Sequence, residues 1–138
     1  MPLILTRYLE FDTRVGEVID ITEKVADAIH ESSLQLCHGR GIRSRVHRSR
    51  NHNRARAGLV DDIRAAIERF VTEHNKHARD QRGDCNGHSH IRASLIGPNL
   101  TIPFQSGQLM LGTWQKIVFL ELDNRHRTQR IILQILGE

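Results

Sequence analysis

Apolar and polar positions divide the chain into three stretches with different patterns. From Leu3 to Phe11 they mix as in a half-buried strand. Gly16 then marks a turn, and Glu17 to Asp20 forms a short β-branched second strand. Thr22 reads as a helix N-cap. Glu23 falls in the first turn, where the helix dipole favours an acid. Ile21, Val25, Ala28 and Ile29 continue at helical spacing to about Ser33. A second helix gathers Leu59, Ile63, Ala66, Ile67, Phe70 and Val71 on one face, opposite Asp61, Asp62, Arg64 and Glu68. Polar residues 79–86 predict a loop.

Beyond residue 90 the pattern predicts strands at 91–96, 99–104, 108–111, 115–122 and 128–136. Breakers Gly97-Pro98 follow the first, and a turn at Gln105-Ser106-Gly107 separates the second and third. Asp123-Asn124-Arg125-His126 is expected to join the last two strands as a hairpin. Two helices followed by consecutive strands predict an α+β fold with mixed or antiparallel sheets in one compact domain over residues 1–138. The exposed strand edges of such a fold suit coverage by an oligomer.

Composition changes this picture at one place. The 138 residues carry a net charge of +4, with 20 basic and 16 acidic side chains. Seven arginines and three histidines, with no acid, sit within residues 37–57. The twenty basic residues less those seven leave thirteen against sixteen acids, an ordinary mildly acidic domain. The apolar runs are too short to cross a bilayer, and Met1 to Arg7 lacks the charged lead of a signal peptide. Two cysteines without a CxxC pair fit a reducing cytoplasm. The arginine tract keeps no helical or strand period. It reads as a nucleic-acid arm, as a solvated loop, or as a translation from the wrong frame. It has no aromatic residue for base stacking, and nucleic acid is the weakest of the expected partners.

Chemistry concentrates after residue 73. His88 and His90 flank Ser89, and strand alternation would place both on one face. With His74 they would bind a divalent metal through imidazole. Arg92 reads either as a phosphate partner or as a strand-face charge, and Ser94 and Ser106 lack a recognisable base.

The run Asp84-Cys85-Asn86-Gly87-His88-Ser89-His90-Ile91-Arg92-Ala93-Ser94-Leu95-Ile96-Gly97 resembles a family pattern, D-G-N-x-x-x-H-[IV]-[KR]-A-[SA]-L-[LI]-G. Gly107-Gln108-Leu109-Met110-Leu111-Gly112-Thr113-Trp114-Gln115 and the closing Gln134-Ile135-Leu136-Gly137-Glu138 follow in the same order. These motifs resemble the YjbQ, or UPF0047, family, also called the secondary thiamine-phosphate synthase family. The resemblance implies an α+β homotrimer with sites near subunit boundaries. It also implies joining of hydroxymethylpyrimidine diphosphate to a thiazole phosphate, with release of pyrophosphate and assistance from Mg²⁺ or Zn²⁺. On this reading Asp84, Asn86 and His90 are catalytic, and His74, His88 and His90 hold metal. Arg92, Thr113 and Gln115 then face a phosphorylated substrate. Cys85 departs from the family's glycine and would strain the loop if a positive φ is needed there. A metal-binding trimer, non-catalytic or acting on an unknown substrate, and an arginine-rich nucleic-acid module are the alternatives.

The resemblance also bears on the arginine tract. Family members carry an apolar strand and turn between the two helices. A one-base shift through residues 37–57, with permitted synonymous codons, yields A-T-V-V-V-F-V-P-G-S-T-A-A-V-T-T-I-E-H-E-P, and Gly58 resumes in frame. The tract is thus expected to be an out-of-frame segment, by sequencing error or gene decay. Seven guanidiniums in place of a buried strand would leave this copy unstable or inactive.

Overall fold

A computed structural model describes residues 1–35, 57–74, 77, 80, 83 and 85–138. The element order is β1 (Leu3–Thr13), β2 (Val18–Asp20), α1 (Thr22–Ser32), α2 (Ala57–Phe70), α3 (Gly87–Ile96), β3 (Phe104–Gln105), β4 (Gln108–Leu109), β5 (Val118–Leu120) and β6 (Arg127–Gly137). The fold is α+β, and every strand pair among the described residues is antiparallel: β1 with β6, β2 with β5, β3 with β4. The arginine tract, apart from Ala57, lies outside the described residues.

The longest ladder joins the two ends of the chain, from Leu3 opposite Gly137 to Thr13 opposite Arg127. Alternation drives it. Ile131, Leu133 and Ile135 of β6 are buried, whereas Ile132 and Gln134 on the other face are not. Directly opposed Glu10 and Arg130 form an ion pair across the exposed face. The core packs α1 (Val25, Ala28, Ile29) against these inward strand residues and against Phe104, Ile117 and Phe119. Phe11 meets Phe119 edge to face at 5.3 Å. A smaller cluster of Val118, Leu120 and Leu122 takes Ile67 of α2 and Ala93 and Ile96 of α3.

Several expectations need correction. Residues 91–96 belong to helix α3, not to a strand. The stretches 99–104, 108–111 and 115–122 shorten to two or three strand residues each. The 123–126 link is not a β-hairpin, because β5 pairs with β2 and β6 with β1. Ile21, not Thr22, is the N-cap of α1. It has no side-chain cap, and Asp20 Oδ1 accepts the Thr22 N–H at 2.9 Å instead. The Thr22 hydroxyl accepts the Ile117 N–H at 2.8 Å, tying α1 to the segment entering β5. The turn at Ser106-Gly107 stands as expected, with both residues at positive φ as a two-residue hairpin needs. Gln35 follows α1 and is hydrogen-bonded on both sides of its backbone. Its N–H donates to Glu138 O at 2.7 Å, and its carbonyl accepts the Ser106 N–H at 2.5 Å.

Candidate functional site: the loop entering α3

The loop before α3 is held from within by Asp80. One carboxylate oxygen accepts the His77 N–H at 3.0 Å and the other the Gly87 N–H at 2.9 Å. These two bonds hold the Asp80 carboxyl below its usual range. They also require glycine at 87, where a Cβ would lie 2.5 Å from the Cβ of His77.

The loop is held from outside by Asn124, in the turn after β5. Asn124 Nδ2 donates to Cys85 O at 3.0 Å, and the Asn124 N–H is accepted by Asp123 Oδ1 at 2.8 Å. Asp123 also pairs with Arg127. Burial would raise the Asp123 carboxyl. The Arg127 bond and the Asn124 N–H outweigh burial and bring it below its ordinary value. Cys85 is exposed at φ 50°, in the left-handed region, where the sequence pattern has glycine. Asn86 is the N-cap of α3 but makes no side-chain cap bond. The Oδ1 atoms of Asn86 and Asn124 are both buried and without a hydrogen-bond partner among the described residues.

The histidines do not share a face. In a helix, residues two apart point to nearly opposite sides. His88 is 2% exposed and His90 is exposed. Burial lowers the His88 pKa, and the nearby Arg92 charge lowers it further. His88 Nε2 lies 3.3 Å from Ser89 Oγ, and its ring stands 6.5 Å from that of His77. His74 is exposed in the turn after α2. Among the described residues no three His, Cys, Asp or Glu side chains are grouped to hold a metal, so His74, His88 and His90 of one chain do not fit as an imidazole set. The oxygen atoms of Asn86 and Asn124 left without partners are of the donor type that a hard cation such as Mg²⁺ takes.

Arg92 shares the His88 face of α3, but its guanidinium is committed. It donates to Val71 O at 2.9 and 2.7 Å and pairs with Glu68, clamping α3 onto α2. The Glu68 carboxyl in turn lies below its usual range, chiefly through the Thr72 hydroxyl bond, with Glu73 N–H and Arg92 adding to it against partial burial. Arg92 and Glu68 line a cleft of about 340 Å³ with Glu17, Arg64 and Glu121 over an apolar floor that includes Val18 and Leu120. Gln115 is likewise engaged, its Oε1 accepting the Gly112 N–H at 2.8 Å, while Thr113 is exposed in the same turn. Asp84 lies outside the described residues.

Sequence reasoning missed Asp80, Asn124 and Glu121. Glu121 is 4% exposed and accepts Thr13 Oγ1 at 2.6 Å, Gln129 Nε2 at 2.7 Å and the Asp123 N–H at 2.9 Å. A lone acid inside the apolar run 117–122 was the available signal for it. Asn124 carried no such signal, because its partner is 39 residues away.

Residues 7–138 match the family described as UPF0047 protein YjbQ-like. A UPF0047 protein of Archaeoglobus fulgidus is 35% identical over 121 residues, covering 87% of this chain and 91% of the relative. One of Methanothermobacter thermautotrophicus is 34% identical over 130 residues, covering 91% and 87%. Among solved structures, a yjbq/upf0047 family protein of Clostridium acetobutylicum is 27% identical with a TM-score of 0.67, covering 95% of this chain and 99% of that one. A YbjQ-like protein of unknown function from Sulfolobus solfataricus shares the fold at a TM-score of 0.77 and 24% identity, covering 99% and 100%. Motif order, α+β architecture and near-complete coverage agree: the chain belongs to the UPF0047, YjbQ-like family.

Proposed function

We propose that the chain is a thiamine-phosphate synthase-type transferase, joining hydroxymethylpyrimidine diphosphate to a thiazole phosphate. The thiazole nitrogen forms a bond to the pyrimidine methylene carbon as the carbon–oxygen bond to diphosphate breaks, and pyrophosphate leaves with that electron pair. The observation that supports this reading is the loop entering α3. Its backbone is pinned by Asp80 and Asn124, and the side-chain oxygens of Asn86 and Asn124 are uncommitted among the described residues. A divalent cation, when bound there, would offset the charge of the departing diphosphate. Arg92 acts in this reading through α3, holding the helix against α2.

Exposed Phe70 and Leu95 on α2 and α3 suit burial between the three copies of a homotrimer, whose mass sedimentation equilibrium would give. A second reading, a non-catalytic metal-binding trimer, is favoured by Cys85 standing at a positive φ where the family pattern has glycine.

The test incubates the protein, as written and with residues 37–57 frame-restored, with both substrates and Mg²⁺, and follows thiamine phosphate by chromatography. Metal-dependent product that falls at least tenfold in Asp84→Ala is expected. No product from the frame-restored protein removes the synthase reading.

A further inference from the structure

Asn124 Nδ2 holds the Cys85 carbonyl, which belongs to the Cys85–Asn86 peptide, so Asn124 is tied to the stretch of backbone that carries Asn86. That bond fixes which way the Asn124 amide faces. Turned over, its oxygen would oppose the Cys85 oxygen, two acceptors with no proton between them. Asn124 Oδ1 is therefore held in place, buried and without a donor among the described residues, and Asn86 Oδ1 is in the same condition. A buried acceptor left without a donor is costly, and such groups in native proteins are ordinarily satisfied by a partner, a water or an ion. An asparagine at an N-cap would normally accept an N–H of the first turn, and Asn86 does not.

We propose that Asn124 and Asn86 together form an oxygen-donor site for a hard divalent cation, in which Asn124 both holds the Cys85–Asn86 loop and supplies a ligand oxygen. The proposal rests on the reading of this loop as the functional site, and it adds Asn124, a residue from the turn after β5. A cation beside the first turn of α3 opposes the helix dipole. The carboxylates of Asp80, bonded to Gly87 N–H, and of Asp123, bonded to Asn124 N–H, offset that.

The test uses the full chain and Mn²⁺ alone as probe. Free Mn²⁺ is counted by its electron paramagnetic resonance signal, and the site is located by paramagnetic broadening of the asparagine side-chain amide NMR signals. The wild type is expected to take up Mn²⁺ with selective broadening at Asn86 and Asn124. Asn124→Ala should weaken uptake at least tenfold, and Asn124→Asp, which keeps an oxygen ligand and adds charge, should retain or tighten it. If Asn124→Ala does not fold, the aspartate variant and the broadening pattern decide. No uptake by the wild type, as when a buried water alone satisfies both oxygens, overturns the proposal. So does broadening elsewhere, unchanged affinity in Asn124→Ala, or weakening in Asn124→Asp. Mn²⁺ held at these amides without any thiamine phosphate formed would leave the site standing and remove only the synthase reading.

Discussion

Cys85 occupies a backbone conformation that costs an L-residue about 1 kcal/mol and glycine almost nothing. Its only described tie is through its carbonyl, to Asn124, so the side chain can go without loss of that bond. Cys85→Gly is expected to raise stability by roughly 0.5–1 kcal/mol in urea unfolding. A destabilised variant would show that the thiol makes a contact that matters. The strain was legible from the sequence as a departure from the family's glycine. His88 carries the second prediction at this scale. Folding keeps it buried and neutral with its pKa below 6.5, whereas the unfolded chain takes up its proton near that value. The unfolded state therefore binds more protons below about pH 6.5, and stability falls as pH drops from there toward the lower folded pKa. His88→Gln should flatten the pH dependence of the urea midpoint between pH 7 and 5, and an unchanged slope would assign it to other groups. His88 was legible as a special histidine, but its surroundings were not, because they depend on α3 being a helix.

At the scale of elements, β1, α1 and β6 follow their hydrophobic periods closely, because each turns one face to the main core, whereas α2 sets Ile67 against the smaller cluster and leaves Phe70 exposed. Helix α3 does not, for a physical reason. It buries its amino-terminal end, Gly87 to Ser89, while Ile91 and Leu95 remain exposed, so no apolar stripe marks it as helical. Ile91, Ala93 and Leu95 alternating with Arg92 and Ser94 instead imitate a strand. That error spread to the site: on a strand His88 and His90 share a face, on a helix they separate. In β6 the two faces differ enough to measure. Leu133 is fully buried, and Leu133→Ala should cost about 2–5 kcal/mol. Ile132, half exposed next to it, should cost less than about 1 kcal/mol as Ile132→Ala. Equal costs in chemical denaturation would mean that the outer face of β6 is covered in solution.

At the scale of the molecule, the first and last strands pair along their whole length, so closing the fold requires both ends of the chain. That pairing was not legible, because antiparallel partners more than a hundred residues apart leave no local pattern. The α+β class was legible, because helix and strand periods are local. Residues 37–57 were legible only as a misfit. Exchanging them for the frame-restored segment is expected to raise the thermal midpoint by several degrees. A cooperative, high-temperature transition in the chain as written, unchanged by the exchange, would refute the idea of a coding accident.

The doubly bonded backbone of Gln35 sets a phase for whatever follows it. With its amide committed to one neighbour and its carbonyl to another, an extended segment grafted on behind it inherits an odd–even assignment of side chains to inside and outside. A single alanine inserted directly after Gln35 would swap that assignment for every later position. The restored segment should then forfeit its thermal gain although its composition has hardly changed.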